Sequence, residues 1–183
     1  MDRKKFIQAL AAIHFLGTPL RGLANAFGKD TCKTQRDAEG PFYKAAAPAR
    51  SVIEKDGEAL KIEGKVLKAH DCQTPVSNAV IDVWHCDSHG AYDMEGYKCR
   101  AVIRTDASGR YSFTTIFPPP YGNRPRHIHF KIRADGHSEL TTQLYFKGDP
   151  NIRNDFARNA EQSRIVALQS EIGFKKGTFD IYL

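Results

Sequence analysis

The stretch "FPPPYGNRPRHIHFKIRA", Phe117–Ala134, ends in a strict alternation. From His127 onward, His127, His129, Lys131 and Arg133 trade places with Ile128, Phe130 and Ile132. Side chains two apart on an extended chain face the same side, so this pattern predicts a strand with one apolar and one polar face. Both histidines then point one way, with the cations further along. Upstream, a proline run ends at Tyr121 and leads into Arg124.

The same period spreads outward. "LKIEGKVL", "NAVIDVW", "RAVIRT", "GRYSFTTI", "LTTQLYF" and "GTFDIYL" read as further strands. The turn-formers "DCQTPVSN", "TDASGR", "PPPYGNRP", "ADGHSE" and "KGDPN" separate them. Short strands at this spacing predict an all-β fold. The pattern "IEGKV…TPVSNAVIDVW…TDASGRYSF" resembles a transthyretin-like or immunoglobulin-like antiparallel β-sandwich with irregular loops. Residue propensity adds one short helix within roughly Asp155–Gln169. A sandwich alone fits a non-catalytic binding module equally well, so function has to come from what is mounted on it.

The 183 residues suit one domain, 41% hydrophobic and 26% charged. Residues 1–26 are expected to be an export signal. "MDRKK" is a charged start, "FIQALAAIHFLG" a short apolar run too brief to span a membrane, and "ANA" (Ala24–Ala26) a small-x-small cleavage site. Residues 27–183 then form the domain, in the periplasm or secreted, with no stable membrane anchor. The leader holds three of the six net positive charges, and the mild remainder argues against nucleic acid as a partner. Export would place Cys32, Cys72, Cys86 and Cys99 in an oxidising compartment, where three pairings are open.

An isolated His-x-His is usually a solvated face. Zinc hydrolases and cupins also use it, but their further histidine and carboxylate partners are missing at the familiar spacings. The polar neighbours are tyrosines instead: Tyr121 ends the proline turn, and Tyr92 ends "WHCDSHGAY" after a strand. Two phenolates with two neutral imidazoles would offset most of a trivalent charge and favour Fe(III).

On these motifs the sequence resembles the intradiol ring-cleavage dioxygenases, the non-haem Fe(III) family of catechol 1,2-, hydroxyquinol 1,2- and protocatechuate 3,4-dioxygenases. "EGPFY", "PVSNAVIDVWHCDSHGAY", "TDASGRYSFTTIFPPPY", "RPRHIHF" and "TTQLYFKGDP" carry the resemblance over roughly residues 37–150. It implies one Fe(III) per chain on Tyr92, Tyr121, His127 and His129, with Tyr121 the ligand that leaves when substrate binds. It implies Arg124 as the cation beside the reacting ring, Gln143 as an orienting group, and Pro41, Tyr43 and Trp84 near the substrate. The partners would be a small aromatic diol and O2, the product a cis,cis-muconate-type diacid. The loops after Tyr121 and from Asp93 to Cys99 are shorter than in many relatives. No long helical dimerisation segment is present, as in the exported single-domain branch. Tyr97 competes with Tyr92 as a ligand. Lys98, Arg100 and Arg126 are candidate cations for a carboxylated ring. Oligomeric state stays open. The alternatives are a metal-free binding module and a zinc enzyme built on His127 and His129.

Overall fold

The computed structural model describes residues 32–183, and the expected leader lies outside the described residues. Ten strands form two five-stranded sheets: β1 (Ala59–Leu67), β2 (Val80–Trp84), β3 (Arg100–Arg104), β4 (Arg110–Ile116), β5 (His127–Arg133), β6 (Leu140–Phe146), β7 (Ile165–Val166), β8 (Gln169–Glu171), β9 (Phe174–Thr178) and β10 (Ile181–Tyr182). The seven period-two runs all fall on strands. Among the described residues, no helix is long and apolar enough to cross a membrane.

The first sheet is built around β1. It pairs antiparallel with β4 along one edge, and parallel with β9 and then β10 along the other, and β8 is the hairpin partner of β9. The second runs β3-β2-β5-β6-β7, antiparallel except for the β6–β7 pair. The sheets are therefore mixed, where the sequence suggested antiparallel ones. After β6 the chain crosses residues 147–164 and returns alongside strands it already runs parallel to. "GTFDIYL" is also two strands rather than one. The Asp180 carboxylate accepts from Lys65 N at 2.8 Å, which breaks the ladder between β9 and β10. Gly64 makes this close approach feasible, because a Cβ there would lie 1.9 Å from the Phe179 carbonyl oxygen.

The helix expected within Asp155–Gln169 takes the form of short 3-10 turns. Three short 3-10 turns stand at Pro150–Asn154, Phe156–Asn159 and Gln162–Arg164, and the chain then enters β7. Asp149 and Asp155 are extended, and their carboxylates accept from Asn151 N and Ala157 N. Each aspartate restarts the chain after one turn, so local side-chain bonds override propensity.

Leu60, Ile62, Ile81, Val83, Phe113, Ile128, Phe130, Ile132 and Leu144 fill the space between the sheets. The opposite face of the second sheet is buried too. Along β6 both faces are covered, Gln143 and Tyr145 included. The cover is a strap, residues 34–43: Asp37 N donates to Thr141 O, and Gln143 Nε2 donates to Ala38 O. A Cys32–Cys72 disulfide ties the strap's start to the turn after β1, whereas Cys86 and Cys99 are buried free thiols.

Candidate metal centre

Pairing sets the site. On the strap-covered face, Trp84 of β2 lies opposite His129 of β5, which lies opposite Gln143 of β6; His127 lies opposite Tyr145. The two imidazoles are buried with centroids 4.9 Å apart, and His129 stacks on Trp84 at 4.7 Å. His127 Nδ1–H donates to the Pro125 carbonyl at 2.7 Å, which leaves the Nε2 lone pair facing the site. Burial pushes His127 down to about 4 and His129 well below its usual value. Both are therefore neutral at pH 7, the state a metal ligand needs.

Tyr92 meets the histidines directly, and Tyr121 stands beside Tyr92. The Tyr92 hydroxyl donates to His127 Nε2 at 3.1 Å. The Tyr121 ring stands edge-on to Tyr92 at 5.3 Å, and no hydrogen bond to its hydroxyl is found among the described residues. Burial pushes the Tyr92 phenol up, Cys86 adds to the rise, and Arg124 opposes it. An isolated phenol would stay protonated there, and a cation would have to supply the missing stabilisation. Tyr97 is not part of the group, since its hydroxyl donates to Ala45 O at 3.0 Å and Lys44 sits over its ring.

These donors suit a hard trivalent ion. Among the described residues no group of three His, Cys, Asp or Glu side chains is placed to hold a metal; the oxygen that meets the histidines is the Tyr92 phenol, 3.1 Å from His127 Nε2. His129 Nδ1 is buried with no partner. An imidazole left short of bonds beside two phenols fits an ion-binding site that relies on tyrosinate. His85 is by contrast fully engaged. Its Nδ1 donates to Cys86 O and its Nε2 accepts from Thr115 Oγ1, each at 2.7 Å.

Arg124 flanks the group on the β6 side. Nε donates to Asp155 Oδ2 at 3.1 Å and Nη2 to Asp155 Oδ1 at 3.3 Å, Gln143 Oε1 at 3.2 Å and Tyr145 Oη at 3.3 Å. Phe156 lies against the guanidinium at 4.1 Å. Tyr145 in turn donates to Asp37, which pairs with the buried Arg164. Arg124 and Gln143 are thus brought together as expected. Asp155, Tyr145, Asp37 and Arg164 were not foreseen, because they come from segments without periodicity.

The expected pocket residues fare unequally. Trp84 is a buried wall behind His129. Pro41 is exposed on the strap. The Tyr43 hydroxyl donates to Asp82 at 3.2 Å and accepts from Arg133 at 3.4 Å, further along β2 and β5. The strap ring at the centre is its neighbour Phe42, stacked on Tyr92 at 4.3 Å and edge-on to Tyr121 at 5.3 Å. Gly40 (φ +71°) turns the strap here, and a Cβ on it would lie 3.7 Å from His129 Cε1. Lys98 faces Asp56 and Asp87, and Arg126 pairs with Asp149. A surface cleft of about 800 Å³ lined by Arg50, Lys65, Arg104 and Arg110 shares none of the site's residues.

A family model described as dioxygenase matches residues 38–183. Catechol 1,2-dioxygenase 2 of Acinetobacter lwoffii is 35% identical over 169 residues, covering 76% of this chain and 61% of that protein. The dioxygenase domain of a dioxygenase carbohydrate-binding fusion from Streptomyces sp. SirexAA-E superposes with a TM-score of 0.77 at 35% identity, covering 83% of this chain and 98% of that one. Catechol 1,2-dioxygenase from Pseudomonas arvilla C-1 superposes with a TM-score of 0.73 at 31% identity, covering 82% of this chain and 62% of that one. The chain spans less than two thirds of the length of the first curated relatives it matches. With the match running from the strap to the last residue, the chain belongs to the intradiol ring-cleavage dioxygenase family.

Proposed function

We propose that the protein is a non-haem Fe(III) intradiol dioxygenase, inserting both atoms of O2 into a small catechol-type diol and cutting between the two hydroxylated carbons. One observation carries the reading: the Tyr92 hydroxyl stands 3.1 Å from His127 Nε2 on a buried face that also gathers His129, Tyr121 and Arg124. Tyr92, Tyr121, His127 and His129 would hold one ion per chain. Bound Fe(III) would lower the pKa of both catechol hydroxyls and draw electron density from the ring.

The chain's own groups have separable tasks. Tyr121, with an untied hydroxyl, would be the donor free to swing away, and its Oη would take up a substrate proton. Arg124, fixed by Asp155, presents a cation where negative charge grows on the ring. Gln143 accepts from the same Nη2 that Asp155 holds, and so helps fix the guanidinium and orient the reacting groups. Phe42 and Trp84 keep water out of the space around the imidazoles. Lys98 and Arg126 already face carboxylates and Arg100 is buried, which supports a ring without a carboxylate substituent. The leader-like residues 1–26 and the Cys32–Cys72 disulfide support an exported protein.

The test is spectroscopic and chemical. Purified protein should hold one iron per chain, look red to brown from a tyrosinate-to-iron band, and shift that band to longer wavelength on anaerobic addition of catechol. Air should then yield a ring-opened diacid. A colourless protein with stoichiometric zinc, or an iron-free one, would overturn the proposal.

A further inference from the structure

Arg100 opens β3 on the site face, opposite Trp84, which is itself opposite His129. It is 2% exposed. Its Nε and Nη2 donate to the Asp93 carbonyl at 3.2 and 2.9 Å, and Nη2 lies 3.8 Å from Met94 Sδ. Nη1 has no partner. The other arginines of this face each pair with a carboxylate, Arg124 with Asp155, Arg133 with Asp82 and Arg164 with Asp37. Among the described residues no carboxylate pairs with Arg100. The Asp93 carboxylate is occupied by its own loop, accepting from the backbone of Glu95, Gly96 and Lys98. A buried guanidinium without a paired carboxylate is costly, and a fold that keeps one has a reason in its surroundings.

Two facts locate that reason. The carbonyl that Arg100 grips belongs to Asp93, the residue after Tyr92, and after burial the charges that act most on Arg100 are the Asp93 carboxylate and then the Tyr92 phenol. The three buried side-chain polar atoms without partners among the described residues are Arg100 Nη1, Trp84 Nε1 and His129 Nδ1. They occupy three consecutive cross-strand positions. Unmet hydrogen bonding is rare in packed interiors, and here it is confined to one row that runs into the candidate centre.

We propose that Arg100 is a positioning residue for this centre: its grip on the Asp93 carbonyl sets the reach of Tyr92, and its unneutralised charge is the counter-charge of the Tyr92 phenolate on the metal. This rests on the reading of Tyr92 as a metal-bound phenolate. A cation beside a phenolate lowers its filled orbitals, so loss of that cation narrows the gap to the ferric ion.

The test compares Arg100→Gln and Arg100→Lys with wild type by iron affinity, visible band position and the thermal midpoint of metal-free protein. Arg100→Gln should bind iron about tenfold or more weakly. Its band should move to longer wavelength while the metal-free midpoint changes little. Arg100→Lys should restore most of the band position. Wild-type iron affinity and band position in both variants would overturn the inference. So would equal loss of metal-free stability in both, which would make Arg100 a structural residue only. A wild-type protein with neither iron nor band would instead overturn the reading of the centre.

Discussion

The two loops that deliver the phenols are built on different plans. The loop carrying Tyr92 is tied at nearly every step. Asp87 accepts from His89 N and Ala91 N, Asp93 accepts three backbone N–H groups, Lys44 Nζ donates to the carbonyls of Met94, Glu95 and Gly96, and Arg100 holds Asp93 O. The loop carrying Tyr121 has little beyond Pro118, Pro119 and Pro120, a turn closed by Arg124 N on Tyr121 O, and Gly122 at φ +54°. One hydroxyl is bonded to a histidine and the other to nothing described. The proposed reaction keeps one anionic ligand and releases the other, and this inequality would serve it through backbone ties rather than through the phenols themselves.

The sharpest way to break that contrast is to remove each hydroxyl. Tyr92→Phe should leave almost no iron on the chain, whereas Tyr121→Phe should keep part of its iron, still chelate catechol and turn over slowly. Iron per chain with the resting and anaerobic catechol spectra reads both. Equal iron loss in the two variants would end the distinction between a fixed and a working side.

A smaller effect tests the working side alone. Arg124→Lys keeps the charge but not the planar fork, so turnover should fall tenfold or more with iron retained. Asp155→Asn leaves the arginine and removes its carboxylate. Turnover should then fall roughly fivefold, about 1 kcal/mol of barrier, with iron again unchanged. If Asp155→Asn cost more than Arg124→Lys, the aspartate would have a role of its own. Parallel loss of iron in either variant would show a structural role instead.

A further test concerns the buried histidines without metal. Burial pushes His85 and His127 down to about 4, and His129 well below its usual value. Unfolded, each would titrate near 6.5. Between those limits the unfolded chain binds more protons, so stability rises with pH there and is flat above. Thermal midpoints of the metal-free protein should hold from pH 8 to 7 and fall as pH drops from about 6.5 toward 4. A midpoint unchanged down to pH 4 would mean the imidazoles are not buried as described.

Much of this was legible in the chain because a strand reports its faces. His127 and His129 had to share a side, and Ile128, Phe130 and Ile132 had to take the other. Alternation does not say whether a polar face meets water or a second layer of chain. The strap that buries it has no period to read, so Pro41 and Tyr43 rest on the resemblance of "EGPFY" alone, and the structure sets Phe42 against both phenols instead. Asp155 was hidden in a segment whose propensities favour helix, and its role follows from where the chain lies after β6. Tyr145 resembled any other tyrosine in a strand until its hydroxyl met Arg124 and Asp37. The arrangement of Cys32 with Cys72 also depended on where the strap begins.

That disulfide gives the buried face an unexpected dependence on its milieu. Its cysteines are 40 residues apart in sequence, a closure worth about 4 kcal/mol of chain entropy. The restraint falls on the strap that supplies Asp37, Ala38, Gly40 and Phe42 to the centre, not on the sandwich interior. Reduction of this disulfide would therefore loosen the roof of the site before the sandwich interior. In a reducing milieu the amide of Asp37, bonded to Thr141 O, should exchange its hydrogen faster than the amides of the inner strands.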